Sequence, residues 1–340
     1  MSNRYSWKWN LSDLRQDKDV KVFSTFSCGG GSSMGYKRAG FKVLGNVEID
    51  PKINAMYIAN HHPDFNFCMD LRDFNRMEEL PEKLMELDIL DGSPPCTSFS
   101  TAGAREKGWG KKKKFREGQA YQTLDDLFFV FLDTVERLRP KIVVAENVVG
   151  MVRGNAKGYV NMILKRFREL GYEVQLFQLN GGVMDVPQAR NRLFFIANRM
   201  NYPKLKLEFN YDPILFKNVR SKKGREYGKN AKTLKMLMEH AAPTDRDLRD
   251  TAERLAGEKN KYFTEKIIHD TQVAPTITSA GEFFRFYDRK PLTDDDFRNV
   301  QSFPQDYDFK GNDVQYVCGM SVPPNMMANI ATEIYEQWLS

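Results

Sequence analysis

The chain has 340 residues, 41% of them apolar and 28% charged, with a formal net charge of +6. That length allows one large domain plus a smaller one, and the mild basic excess leans towards a polyanionic partner without proving one. No apolar run approaches the ~20 residues of a membrane helix, and Met1 to Asn10 has neither an apolar core nor a cleavage-site pattern, so a cytoplasmic protein without an export signal or membrane partner is expected.

The first half alternates short apolar runs with helical patterns, the mark of a parallel sheet with crossover helices. Val20 to Ser27 reads as a strand, Gly29 to Gly31 as a turn, and a helix follows to about Gly40. Phe41 to Ile49 reads as the next strand, and Pro51 opens a helix where proline is tolerated. Asp70 follows a third short strand. Further strands are expected at Leu87 to Leu90, Lys141 to Ala145, Glu173 to Leu179 and Arg192 to Ala197, with helices near Leu124 to Leu138 and Tyr159 to Leu170. Asn198 to Asp270 is polar, basic and poorly periodic, and reads as a separate recognition region. Pro323 to Leu339 reads as a closing helix.

A strand, a glycine turn and a helix, with an acid closing the next strand, suit a nucleoside ligand. The acid is Glu48, 17 positions after Gly31. Cys28-Gly29-Gly30-Gly31 does not match the G-x-G-x-x-G of dinucleotide sites, so a ligand without phosphates, such as S-adenosylmethionine, fits better. Asp70 reads either as an acceptor for an adenine amine or as a helix N-cap.

Asp91-Gly92-Ser93-Pro94-Pro95-Cys96 follows the fourth expected strand, and two prolines stiffen the chain just before the thiol. Thr97 to Gln119 is a long glycine-bearing loop with four consecutive lysines, Lys111, Lys112, Lys113 and Lys114, suited to phosphate contacts or to a solvated face. A second basic run spans Lys217 to Lys235. Glu146 follows the fifth strand as a candidate acid. Arg190 and Arg192, at i and i+2 on an extended segment, would point the same way and could grip a base edge, or serve as salt-bridge partners. The cysteines, Cys28, Cys68, Cys96 and Cys318, form no C-x-x-C pair, so free thiols rather than a metal site are expected.

Taken in order, these segments resemble the DNA (cytosine-5) methyltransferases from Val22 to Ile330. The matching pieces are Phe26-Ser27 with the glycine turn, Glu48-Ile49-Asp50, Asp70-Leu71, Pro94-Pro95-Cys96 with Phe99-Ser100, Glu146-Asn147-Val148 and Gln188-x-Arg190-x-Arg192. Later come Arg289-x-x-Leu292-Thr293, Gln301-x-Phe303-Pro304 and Gly319-Met320-Ser321-Val322-Pro323-Pro324. The chain departs from the family pattern at Cys28 (glycine), Thr97 (glutamine), Asp296 (glutamate) and Met320 (asparagine).

The resemblance implies a Rossmann-like α/β methyltransferase fold, mostly parallel, with a smaller target-recognition domain. Residues 1–19 would be an extension, 20–198 the catalytic domain binding S-adenosyl-L-methionine, 199–309 the target-recognition region, and 310–340 a segment returning to the catalytic domain. It further implies Cys96 as nucleophile, Glu146 as a protonated acid at cytosine N3 and the exocyclic amine, Arg192 at O2, and Arg190 in support. The cofactor would be bound by Phe26, Cys28, Gly29, Gly31, Glu48, Ile49, Asp70, Leu71, Pro95, Ser321 and Val322. Ser98, the four lysines and Gln188 would contact nucleic acid. The partners implied are duplex DNA and a cognate restriction endonuclease, with the protein monomeric. A tRNA cytosine-5 methyltransferase and a catalytically silent nucleic-acid-binding homologue are the alternative readings.

Overall fold

The computed structural model describes residues 2–95, 112–113, 122–123, 127–152, 157–259 and 262–340. The chain divides into two compact units. One comprises Asp13–Asn180, Asn191–Glu208 and Met327–Ser340; the other comprises Met1–Ser12, Gly181–Arg190 and Phe209–Met326.

The first unit is built on a seven-stranded sheet. Its elements are β1 (Lys21–Thr25), α1 (Gly31–Arg38), β2 (Lys42–Val47), α2 (Pro51–His61), β3 (Phe65–Phe67), α3 (Leu71–Arg76), β4 (Ile89–Gly92), α4 (Leu127–Leu138), β5 (Ile142–Val148), α5 (Lys157–Glu169), β6 (Glu173–Asn180) and β7 (Asn191–Asn198). The spatial order is β3-β2-β1-β4-β5-β7-β6. The first five strands are parallel, and β7 runs antiparallel to both β5 and β6. The order reverses between β1 and β4, the switch point where open α/β sheets bind ligands.

The central strands are apolar on both sides because helices cover both faces. Phe23, Leu90, Val143 and Phe195 are fully buried with Phe131 of α4. In α4 the buried residues Leu127, Phe128, Phe131, Leu132, Val135 and Leu138 recur at helical spacing, so one stripe of this helix faces the core. Asp50 caps α2 and Pro51 occupies its first turn, as its sequence predicts. β5 runs farther than the sequence suggests, so Glu146 and Asn147 lie within the strand rather than after it. The chain's last segment belongs to this unit: Trp338 stacks on Tyr202 at 5.6 Å and its indole N–H donates to Pro203 O at 2.8 Å.

In the second unit, Lys266–Ile268 (β8), Phe283–Arg285 (β9) and Lys290–Pro291 (β10) form a small sheet. Lys232–Glu239 (α6) and Leu248–Ala256 (α7) pack beside it through Leu237, Met238, Leu248, Ala252, Ile267 and Phe284. The poorly periodic stretch therefore holds two short amphipathic helices, which its basic composition disguises. Asp294–Val300 (α8) opens with a capping box between Thr293 and Asp296. The N-terminal residues up to Ser12 are integrated here: the backbone N–H groups of Arg4 and Tyr5 donate to Asp185, and the Trp9 indole donates to Ser302 O at 2.9 Å. Val314–Met320 (α9) also lies in this unit, Gln188–Ala189 and Ala274–Pro275 pair as a short parallel ladder, and Pro324–Ile334 (α10) begins here and continues in the first unit from Met327. Among the described residues no helix is long and apolar enough to cross a membrane.

Candidate active site

The glycine turn leaves β1 through two side-chain-bearing residues in the left-handed region, Phe26 at φ 52° and Cys28 at φ 46°, followed by Gly30 at φ 73°. That conformation costs a non-glycine residue roughly 1–2 kcal/mol, which explains why glycine is the favoured residue where Cys28 stands. Gly30 has a second reason to lack a side chain. A Cβ there would sit 2.1 Å from Nε2 of His61. His61 is 4% exposed and its ring lies 4.3 Å from that of Tyr57, whose hydroxyl bonds the Ser33 hydroxyl at 2.8 Å. Burial holds the imidazole well below its ordinary pKa, so it is a neutral packing element beneath the turn. The sequence offers no signal for this, because His61 is distant from the turn in the chain.

Glu48 follows β2 and is buried. One carboxylate oxygen accepts the Cys28 N–H at 2.9 Å and the other accepts the Asp50 N–H at 3.0 Å. Burial pushes this carboxyl above its usual range, against the pull of those N–H donors. The Ile49 N–H is a third donor, so about one of the carboxylate's roughly four acceptor positions is left for a ribose hydroxyl. Asp70 caps α3, accepting the Arg72 N–H at 2.8 Å, and pairs with the Arg72 guanidinium at 3.2 Å. The capping reading holds, and it leaves the expected contact to an adenine amine open. Gly29, Gly31 and Leu71 are buried, while Ile49 and Pro95 are half-buried. An acid with spare acceptor capacity beside three successive glycines, Gly29 to Gly31, suits a phosphate-free nucleoside, and so fits S-adenosylmethionine.

β4 leads to Pro94 and Pro95. Cys96, Ser98, Lys111 and Lys114 lie outside the described residues. Lys112–Lys113 pairs with Gln122–Thr123 as a two-residue antiparallel ladder. The approach to Cys96 is tied to the neighbouring strand: the buried Asn147 side chain donates from Nδ2 to Pro94 O at 3.0 Å. Asn147 faces one side of β5. Its neighbour Glu146 faces the other, where Arg192 of β7 sits diagonally across the register and places Nε 2.7 Å from a Glu146 oxygen. Both side chains are close to 90% buried, at 12% and 13% exposure. Burial pulls the Arg192 pKa down and the Glu146 charge opposes that shift.

Arg190 and Arg192 bond different partners, unlike the same-facing pair that extended geometry implies. The Arg190 N–H bonds Gln188 O at 2.9 Å, closing a tight three-residue turn that breaks the strand alternation. Arg190 is 1% exposed and belongs to the second unit, where its guanidinium bonds Ile277 O at 3.0 Å and Gly319 O at 2.8 Å. Gln188, expected at the nucleic-acid surface, is fully buried and spent on internal bonds. Its amide nitrogen donates to Gln301 at 2.6 Å and its oxygen accepts the Ile277 N–H at 2.9 Å. Gln301 passes the network on to Ser321 O at 2.7 Å. Ser321 and Val322 are both buried. Asp296, at one of the departures from the family pattern, is fully buried and pairs with Arg285 at 3.3 Å.

Residues 20–336 match the model of the C-5 cytosine-specific DNA methylases. The chain belongs to that family. It is therefore a DNA cytosine-5 methyltransferase, of a family that takes its methyl group from S-adenosylmethionine. Among curated relatives, the type II methyltransferase M.Sau96I of Staphylococcus aureus is 28% identical, over 98% of this chain and 80% of the relative. The type II methyltransferase M.HindV of Haemophilus influenzae is 27% identical, over 93% of this chain and 96% of the relative. Among solved structures, a candidate DNA modification methyltransferase encoded within an E. coli prophage superposes with a TM-score of 0.68 at 20% identity, covering 95% of this chain and all of its own. A mutant of Spodoptera frugiperda DNMT2 gives 0.63 at 16% identity, with 93% of this chain covered. These likenesses establish the Rossmann-like methyltransferase fold.

Proposed function

We propose that this methylase transfers a methyl group from S-adenosyl-L-methionine to C5 of a cytosine flipped out of a specific duplex DNA sequence, through a covalent bond between Cys96 and C6. One observation carries the reading. Asn147 ties the strand end leading to Cys96 to β5, and the preceding residue of β5, Glu146, is paired with Arg192 on the sheet's adjacent strand.

Carbon 5 of cytosine is too weak a nucleophile to be methylated directly. Addition of the Cys96 thiolate to C6 makes C5 an enamine carbon, and one difficult step becomes two easier ones. Glu146, carrying a proton when the base is engaged, donates to N3 and accepts from the exocyclic amine as negative charge moves into the ring, and Arg192 supports O2. Their mutual ion pair keeps both side chains at one place on the sheet until a base engages them. Loss of the C5 proton and elimination return Cys96 to the free thiol. Glu48 and the glycine turn hold the cofactor, which when bound supplies an electrophilic methyl group on sulfur. A thiol inside a protein cannot reach C6 of a stacked base, so the target is extruded, with Lys111 to Lys114 on the phosphates.

Relatives named type II methyltransferases support a role in restriction–modification; a cognate endonuclease as partner and a monomeric methylase belong to the same proposal. The test is transfer of labelled methyl groups to duplex DNA and to tRNA side by side, followed by bisulfite sequencing of the DNA product. Incorporation at a recurring cytosine context in DNA is expected. Incorporation into tRNA alone, or into neither polymer, overturns the reading.

A further inference from the structure

Asp91 is 1% exposed, one residue from the end of β4 and five before Cys96. It pairs in register with Ser24 of β1, at the switch point where the strand order reverses. The Ser24 hydroxyl donates to one carboxyl oxygen at 2.8 Å and the Tyr36 hydroxyl to the other at 3.2 Å. The Ser32 hydroxyl, in the first turn of α1, is a third donor. The Thr25 hydroxyl donates to Asp91's own carbonyl at 3.1 Å. Among the described residues the side chain's partners are thus all hydroxyls, and no cation there offsets the cost of burying the charge. Of the other ionisable groups around it, Glu146 on β5 and Tyr57 on α2 feel it through space, and neither is positive.

We propose that Asp91 is a positioning residue that fastens β1 and the first turns of α1 to the strand leading to Cys96, and that its charge selects a cationic methyl donor over the neutral demethylated product. The inference rests on the cofactor assignment made above. S-adenosylmethionine is a sulfonium cation, and transfer of the methyl group leaves a neutral thioether. A buried carboxylate with no counter-ion among the described residues, at the carboxyl end of the strands where ligands bind, favours the cation by Coulomb's law in a low-dielectric setting.

Burial, opposed by the three hydroxyls, pushes the Asp91 carboxyl up to about 7. Below that pH the group is neutral and must donate a hydrogen, so one of its three hydroxyl donors has to turn and accept. Above it, all three donate and the negative charge is present. The preference for the cation should therefore rise with pH through neutrality.

Calorimetric titration of the full chain with S-adenosylmethionine and with S-adenosylhomocysteine, from pH 6 to pH 8, tests this without any turnover. The ratio of the two dissociation constants should shift by about fivefold in favour of the cation as pH rises. In Asp91→Asn the ratio should be flat. Tyr36→Phe removes one donor to the ionised form, so its midpoint should move to higher pH. It serves as a second variant should Asp91→Asn fold poorly. A pH-independent ratio in the unaltered protein, or a Tyr36→Phe midpoint that does not move, overturns the inference alone. Failure of the unaltered protein to bind either molecule overturns the cofactor assignment beneath it.

Discussion

Gly30→Ala tests how the cofactor turn is built. The substitution meets two separate costs. At φ 73° the new residue occupies the left-handed region, at roughly 1–2 kcal/mol. The added Cβ lands 2.1 Å from Nε2 of His61 and 2.7 Å from its Cε1, so the imidazole must leave its place against Tyr57. Overpacking of that kind costs about 1–3 kcal/mol. The sum is a loss of about 2–5 kcal/mol. Equilibrium urea unfolding should register it, and S-adenosylmethionine binding should weaken, because the shifted turn carries the Cys28 N–H away from Glu48. The decisive comparison is a double-mutant cycle with His61→Ala. Without the ring, Gly30→Ala should cost only the backbone share, leaving a coupling of about 1–3 kcal/mol. An equal cost in both backgrounds would refute the packing argument, and no cost at all would refute the conformational one as well.

Asn147→Ala strips the Pro94 carbonyl of its buried donor, worth about 1–3 kcal/mol. Methyl transfer should fall while cofactor affinity, measured by calorimetry, stays within about twofold. Equal loss of both would contradict a role confined to the nucleophile's approach. Cys28→Gly relieves the strain at φ 46°, and thermal unfolding should show a gain of up to about 1 kcal/mol. A destabilised variant would mean that the thiol's own contacts outweigh the backbone term.

Much of the first unit was legible because its chemistry is local in the chain. The β1–turn–α1 pattern, Pro51 at the head of α2, and Glu48 closing β2 follow from periodicity and turn chemistry, and the structure has them there. What escaped the sequence depends on partners far apart. Asn147 was visible only as the middle of a matching triplet, since its partner is a backbone carbonyl on another strand, 53 positions away. Extended geometry would set Arg190 and Arg192 on one face, and a single backbone bond at Gln188 breaks that geometry. Gln188 looked like a surface amide because nothing in the sequence announces Gln301, 113 positions away, as its partner. Helices α6 and α7 were hidden because short elements with one apolar stripe are swamped by the lysines around them.

The central claim is the sulfur–carbon bond at residue 96. Duplex DNA carrying 5-fluorocytosine at the methylated position, incubated with the protein and S-adenosylmethionine, should give an adduct that survives denaturation, because fluorine at C5 cannot leave as a proton does. Mass spectrometry of the digested adduct should place the modified pyrimidine on the peptide containing Cys96, and Cys96→Ser should give none. An adduct on another residue, or undiminished methylation by Cys96→Ser, would contradict it.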